Sequence, residues 1–140
     1  MERKPVSRVI VGIPARMGAS RFPGKPLALI AGIPMISHVY LRAGLARGVD
    51  VVFVATCDEE IRDVLEDLGA LVVMTDPNIE RPGLRVAAAC EQLSVGEDDI
   101  VVVVQGDEPL VHPSMVESAA AFLIENPNFA MGTLVGSASR

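Results

Sequence analysis

The 140-residue sequence predicts an α/β fold: one domain over residues 1–140, with a mostly parallel sheet and helices on both faces, making three layers. Two observations carry this. Four strand-length segments, 9–13, 51–54, 71–74 and 100–104, are continuous apolar runs. Unbroken runs, unlike alternating ones, mark strands covered on both faces, as in parallel sheets. Between them lie segments with helical apolar spacing, and strand–helix alternation of this kind builds right-handed βαβ units. Composition agrees: 50% of residues are apolar and 21% charged, which excludes a disordered chain.

The elements follow in order. After the first strand, Pro34 suits a first helical position, and Ile36, Val39, Tyr40 and Ala43 recur at helical spacing before Gly48. After the second strand, Asp58 is a candidate N-cap, with Glu59 and Glu60 in the first turn facing the helix dipole. Ile61, Val64, Leu65 and Leu68 form that helix's apolar stripe, and Gly69 ends it. A third helix is expected over 83–93. A fourth starts at Pro113, with Met115, Ala119 and Phe122 as its core stripe, and stops near Asn126-Pro127. A fifth strand is expected over 129–135. Ligands of such sheets bind beyond the carboxyl ends of the strands. Function is therefore sought after Ile13, Thr56, Met74 and Val104.

Several classes are excluded by composition. No apolar run approaches the ~20 residues of a membrane span, so no membrane insertion is expected. The first residues carry no secretory pattern, and Cys57 and Cys90 form no Cys-x-x-Cys pair, which fits a cytoplasmic location. The net charge of −6 argues against a nucleic-acid partner. The charge is uneven, however. Residues 1–49 hold eight basic residues and one acid, whereas residues 50–140 hold four and seventeen. Arg16, Arg21 and Lys25 fall within ten positions, a local site for an anion unless the two halves simply neutralise each other.

The loop after the first strand, Pro14-Ala15-Arg16 through Ser20-Arg21-Phe22-Pro23-Gly24-Lys25-Pro26-Leu27, has the parts of a phosphate site. Gly18 and Gly24 permit close backbone approach, and Arg16, Arg21 and Lys25 supply charge. It is neither a Walker A loop nor a Gly-x-Gly-x-x-Gly fingerprint, which weighs against an ATPase and a dehydrogenase. A second signal follows the last buried strand: Gln105-Gly106-Asp107-Glu108-Pro109. Asp107 there is either a turn residue or a carboxylate for Mg²⁺, which favours one or two carboxylates plus phosphate oxygens and water. His38 and His112 lack a metal or nucleophile partner at local spacing. Cys57 is read as an inert thiol.

Taken as ordered strings, both loops closely resemble the motifs of sugar-activating cytidylyltransferases. The 3-deoxy-manno-octulosonate (Kdo) enzymes come first and the acylneuraminate enzymes next. The likeness continues through Gly32-Ile33-Pro34-Met35-Ile36. It implies a Rossmann-like nucleotidyltransferase domain lacking the C-terminal half of the family fold. The implied reaction joins CTP to an acidic sugar, giving a CMP-sugar and pyrophosphate for cell-envelope polysaccharide synthesis. By the same resemblance, Arg16 and Lys25 hold phosphates, Asp107 holds Mg²⁺, and Pro14, Ala15, Gln105, Gly106 and Arg85 lie at the nucleotide. The family's Ser-Gly-Thr-acid-Arg segment reads Arg81-Pro82-Gly83-Leu84-Arg85 here, so only Arg85 is kept and the base stays open. A nucleotide-binding or dimerising domain without turnover, and a related nucleotidyltransferase of different base or sugar, stand as alternatives. A homodimer is the expected assembly if the sheet edge at 129–135 is uncovered.

Overall fold

The computed structural model describes residues 8–18, 23–126 and 131–134. Five strands form one sheet: β1 (Val9–Pro14), β4 (Val51–Thr56), β5 (Leu71–Met74), β6 (Ile100–Val104) and β7 (Met131–Leu134). Their order is β5-β4-β1-β6-β7, and all four pairings are parallel. Every predicted strand is present. Two more, β2 (Leu29–Ile30) and β3 (Ile33–Pro34), pair as a short antiparallel hairpin that the sequence reading did not contain. Ala31 and Gly32 turn it, both with positive φ.

Four α-helices lie among the described residues: α1 (Met35–Ala43), α2 (Glu59–Glu66), α3 (Pro82–Gln92) and α4 (Pro113–Glu125). The sheet's pleat sorts the core into two sides. Val9, Val11, Ile13, Val54, Val102 and Val104 pack with Ile36 and Val39 of α1, Ile61 and Leu65 of α2, and Val116, Ala120 and Leu123 of α4. Ile10, Phe53, Ala55, Val73, Val101 and Val103 pack with Val86 and Ala89 of α3. The result is the expected three-layer α/β arrangement, with three helices on one face and one on the other.

This distribution corrects one expectation. From β1 the chain steps to β4 and β5 through α1 and α2; from β6 it steps the opposite way to β7 through α4. Because α1, α2 and α4 share a face and the strands are parallel, β6–α4–β7 has the opposite hand to the other crossovers. Right-handed connections account for about 98% of cases, so α4 makes the exception. Burial of Val116, Ala120 and Leu123 in the core shared with α1 holds it there.

Local corrections have physical causes. Pro34 is not the first helical residue; it ends β3 with φ −54 and ψ 142 and stands just before α1. Leu68 lies beyond the end of α2 and is exposed. Met115 and Phe122 are 37% and 51% exposed, and the true core stripe of α4 is offset by one residue, at Val116, Ala120 and Leu123. His112 does cap α4, its Nδ1 accepting the Ser114 N–H at 3.2 Å. Among the described residues, no helix is long and apolar enough to cross a membrane.

Candidate active site

The strand order reverses between β1 and β6: β1 leads away to β4, and the chain returns to β6 on its other side. Loops leaving two such strands diverge and leave a crevice, the usual ligand site of open parallel sheets. A cavity of about 300 Å³ occupies that position. It is lined by Pro14, Ala15 and Arg16 after β1, by Gln105, Gly106 and Asp107 after β6, and by Lys25. Every ligand residue expected from the sequence therefore faces one cavity, Arg85 included. Arg21, which belongs to the same loop, lies outside the described residues, as do Ser20 and Phe22.

Lys25 and Asp107 meet across the crevice. Their Nζ and Oδ2 are 3.9 Å apart, with side chains 38% and 60% exposed. An ion pair this long and this wet contributes little, about 0–1 kcal/mol, so a ligand can part it cheaply. Lys25 is delivered by a short 3-10 turn (Lys25–Leu27) that starts at Gly24, whose φ of +78 favours glycine. The Gly24 N–H donates to the Met17 carbonyl at 2.7 Å and closes the loop at its base.

The two crevice loops touch closely because Gly106 has no side chain. A Cβ there would stand 2.6 Å from the Pro14 carbonyl oxygen and 3.3 Å from the Ala15 Cβ. Gly12, inside β1, serves packing instead: its Cβ would lie 2.7 Å from Val86 and 2.8 Å from Phe53, so it lets α3 approach the sheet.

Arg85 is built into the fold beside the cavity. It is only 2% exposed. One terminal nitrogen donates to the Thr75 hydroxyl and, at 3.3 Å, to the Asp76 carbonyl; the other donates to the Ile79 carbonyl at 2.6 Å. Arg85 thus shapes the loop after β5 that brings Glu80 to the cavity wall. Pro26, Met35 and Pro82, which belong to the quoted strings, also line the cavity, as does Glu80, which lies outside them. Glu80 gave no signal, because it adjoins the segment where the motif departs from pattern. Asp58 stands at the cap position expected of it but makes no cap bond; its Oδ2 accepts the Met17 N–H at 2.8 Å. Among the described residues, no three His, Cys, Asp or Glu side chains converge as a metal cage. Asp107 offers an open carboxylate beside Lys25, a donor that suits Mg²⁺ completed by phosphate oxygens and water.

Known proteins share both the fold and the chain. The family profile described as Cytidylyltransferase matches residues 10–139. The 8-amino-3,8-dideoxy-manno-octulosonate cytidylyltransferase of Shewanella sediminis is 49% identical over 123 residues, covering 87% of this chain and 50% of that protein. The solved structure of CMP:2-keto-3-deoxy-manno-octonic acid synthetase complexed with CTP superposes with a TM-score of 0.80 at 39% identity, covering 86% of this chain and 49% of that one. A cytidylyltransferase from Leptospira borgpetersenii serovar Hardjo-bovis shares the fold, with a TM-score of 0.75 at 22% identity over 86% of this chain and 50% of that one. The chain spans about half the length of the curated relatives it matches. With its fold, its two motif loops and a profile match over nearly its full length, the chain belongs to the cytidylyltransferase family.

Proposed function

We propose that this chain binds CTP at the β1/β6 crevice and forms the nucleotide half of a transferase that activates a Kdo-like acidic sugar. One observation carries the reading: Lys25 and Asp107, from loops 82 positions apart, meet at 3.9 Å in a single cavity at the strand-order reversal. In this reading Arg16 and Lys25 bind the triphosphate, Arg16 with the paired geometry a guanidinium offers to phosphate. Pro14, Ala15, Gln105 and Gly106 hold the nucleotide by backbone and amide contacts. Arg85 supports the wall against which the base lies. The sugar hydroxyl attacks the α-phosphorus in line, a new phosphorus–oxygen bond forms, and pyrophosphate departs as the old one breaks. The protein's share is positioning and charge stabilisation. Asp107 would hold Mg²⁺, which when bound neutralises triphosphate charge.

The reading carries a role in cell-envelope polysaccharide synthesis and a cytoplasmic location, the latter supported by two free thiols. It also carries self-association through β7, one of the two edge strands of the sheet among the described residues. A second reading, nucleotide binding without turnover, is favoured by the altered segment at 81–84. Calorimetric titration of CTP, UTP, ATP and GTP, with and without Mg²⁺, tests the binding claim. Tightest binding of CTP with Mg²⁺ supports it, and equal or absent binding of all four contradicts it. Pyrophosphate release on adding Kdo, 8-amino-Kdo or sialic acid then separates the two readings.

A further inference from the structure

We propose that Asp58 is a positioning residue for the cationic loop: its carboxylate, acting through the Met17 amide, fixes the segment that carries Arg16 and leads to Lys25. The inference rests on the reading that this loop holds a nucleoside triphosphate. Asp58 stands at the N-cap position of α2 with φ −105 and ψ 122, the extended backbone of an N-cap. Aspartate there ordinarily accepts from its own helix, yet Asp58 makes no such bond. Its Oδ2 accepts instead from the Met17 N–H at 2.8 Å, 41 positions earlier in the chain, and takes the Cys57 thiol at 3.8 Å. Its own N–H donates to the buried Thr56 hydroxyl at 3.1 Å, so the carboxylate is aimed from a fixed backbone.

The bond sits at a junction. The Ala15 N–H donates to the Ala55 carbonyl at 3.0 Å, which makes Ala15 and Met17 two anchor points on the end of β4 and its exit, with Arg16 between them. Met17 also accepts from the Gly24 N–H at 2.7 Å, and Lys25 follows immediately. One carboxylate therefore secures the base from which both cations reach the cavity. Charge alone predicts the reverse of what positioning predicts. Asp58 is an anion near a polyanion site, so neutralising it should tighten binding if it acted only as a charge.

Three forms of the full chain separate these roles. Asp58→Asn keeps the reach and an acceptor oxygen. Asp58→Ser is too short to reach Met17 but is a strong helix cap, so it restores the forgone cap of α2. Calorimetry with Mg²⁺ and CTP, thermal melting, and hydrogen exchange at the Met17 amide are measured on each. Positioning predicts affinity up to about tenfold weaker for Asp58→Ser, the scale of one ordinary hydrogen bond. It also predicts faster Met17 exchange and an unchanged or raised melting temperature in that variant, with Asp58→Asn close to wild type in all three. Binding by Asp58→Ser as tight as wild type, or binding by Asp58→Asn as weak as by Asp58→Ser, overturns the proposal. If wild type binds no nucleotide, the functional reading falls by itself. The Met17 exchange rates still decide on the tie, because equal rates in wild type and Asp58→Ser contradict it.

Discussion

At the scale of single residues, the site depends as much on what is missing as on what is charged. Gly106 permits the loop after β6 to lie against Pro14 and Ala15, where a methyl would collide with backbone. Gly106→Ala is predicted to cost about 1–3 kcal/mol of stability, measured by denaturant unfolding, and to weaken nucleotide binding as the two loops separate. An unchanged unfolding midpoint would remove the close approach from the account. The charged side chains that line the cavity were legible because Arg16, Lys25 and Asp107 fall in ordered strings of residues. The roles of Arg85 and Asp58 were only half legible. Arg85 lines the cavity, and its guanidinium also donates to Thr75, Asp76 and Ile79. Asp58 has the local sequence of a helix cap and the spatial partner of a loop tie. Long-range hydrogen bonds of this kind leave no trace in local spacing.

At the scale of elements, the buried strands were readable to within a residue or two, because continuous valine and isoleucine runs have few other solutions. Helix faces were harder. In α4 two apolar stripes run one residue apart, and only the sheet decides that Val116, Ala120 and Leu123 face inward. Leu123→Ala is therefore predicted to cost about 2–5 kcal/mol, whereas Met115→Ala, on the exposed stripe, costs under about 1 kcal/mol. Chemical denaturation of both variants checks the assignment, and the reverse order would contradict it. The hairpin β2–β3 went unread because two-residue strands carry no period. At the opposite end of the sheet from the cavity, Arg8 pairs with Asp99 at 2.8 Å, while the Arg8 and Gly96 N–H groups also donate to that carboxylate. The Arg8 hydrogen bond is the main cause that lowers the Asp99 pKa to about 2 from 3.8. A lowered folded-state pKa gives stability that is present above the unfolded value and lost as pH falls through the folded one. Wild type should therefore melt higher than Asp99→Asn at pH 6, with the gap closing between about pH 4 and pH 2. A gap at pH 2 as wide as that at pH 6 would contradict the assignment.

At the scale of the whole molecule, the strand-order reversal between β1 and β6 brings a basic front segment against an otherwise acidic chain. Of the eight basic residues at positions 1–49, Arg16 and Lys25 line the crevice there, while Arg8 pairs with Asp99 at the other end of the sheet. Alternation of strands and helices was enough to predict the layers and the end of the sheet where the site lies. It could not predict the odd-handed crossover to β7, because which face α4 covers is decided by burial beside α1 and not by its own sequence. The central claim is that Lys25 and Asp107 act on one bound polyanion. Its most direct test is a double-mutant cycle on CTP affinity in saturating Mg²⁺, comparing wild type, Lys25→Ala, Asp107→Asn and the double variant by calorimetry. The account predicts losses in both single variants and a coupling between them of about 0.5 kcal/mol or more. Strictly additive losses, or wild-type affinity in either single variant, would contradict it.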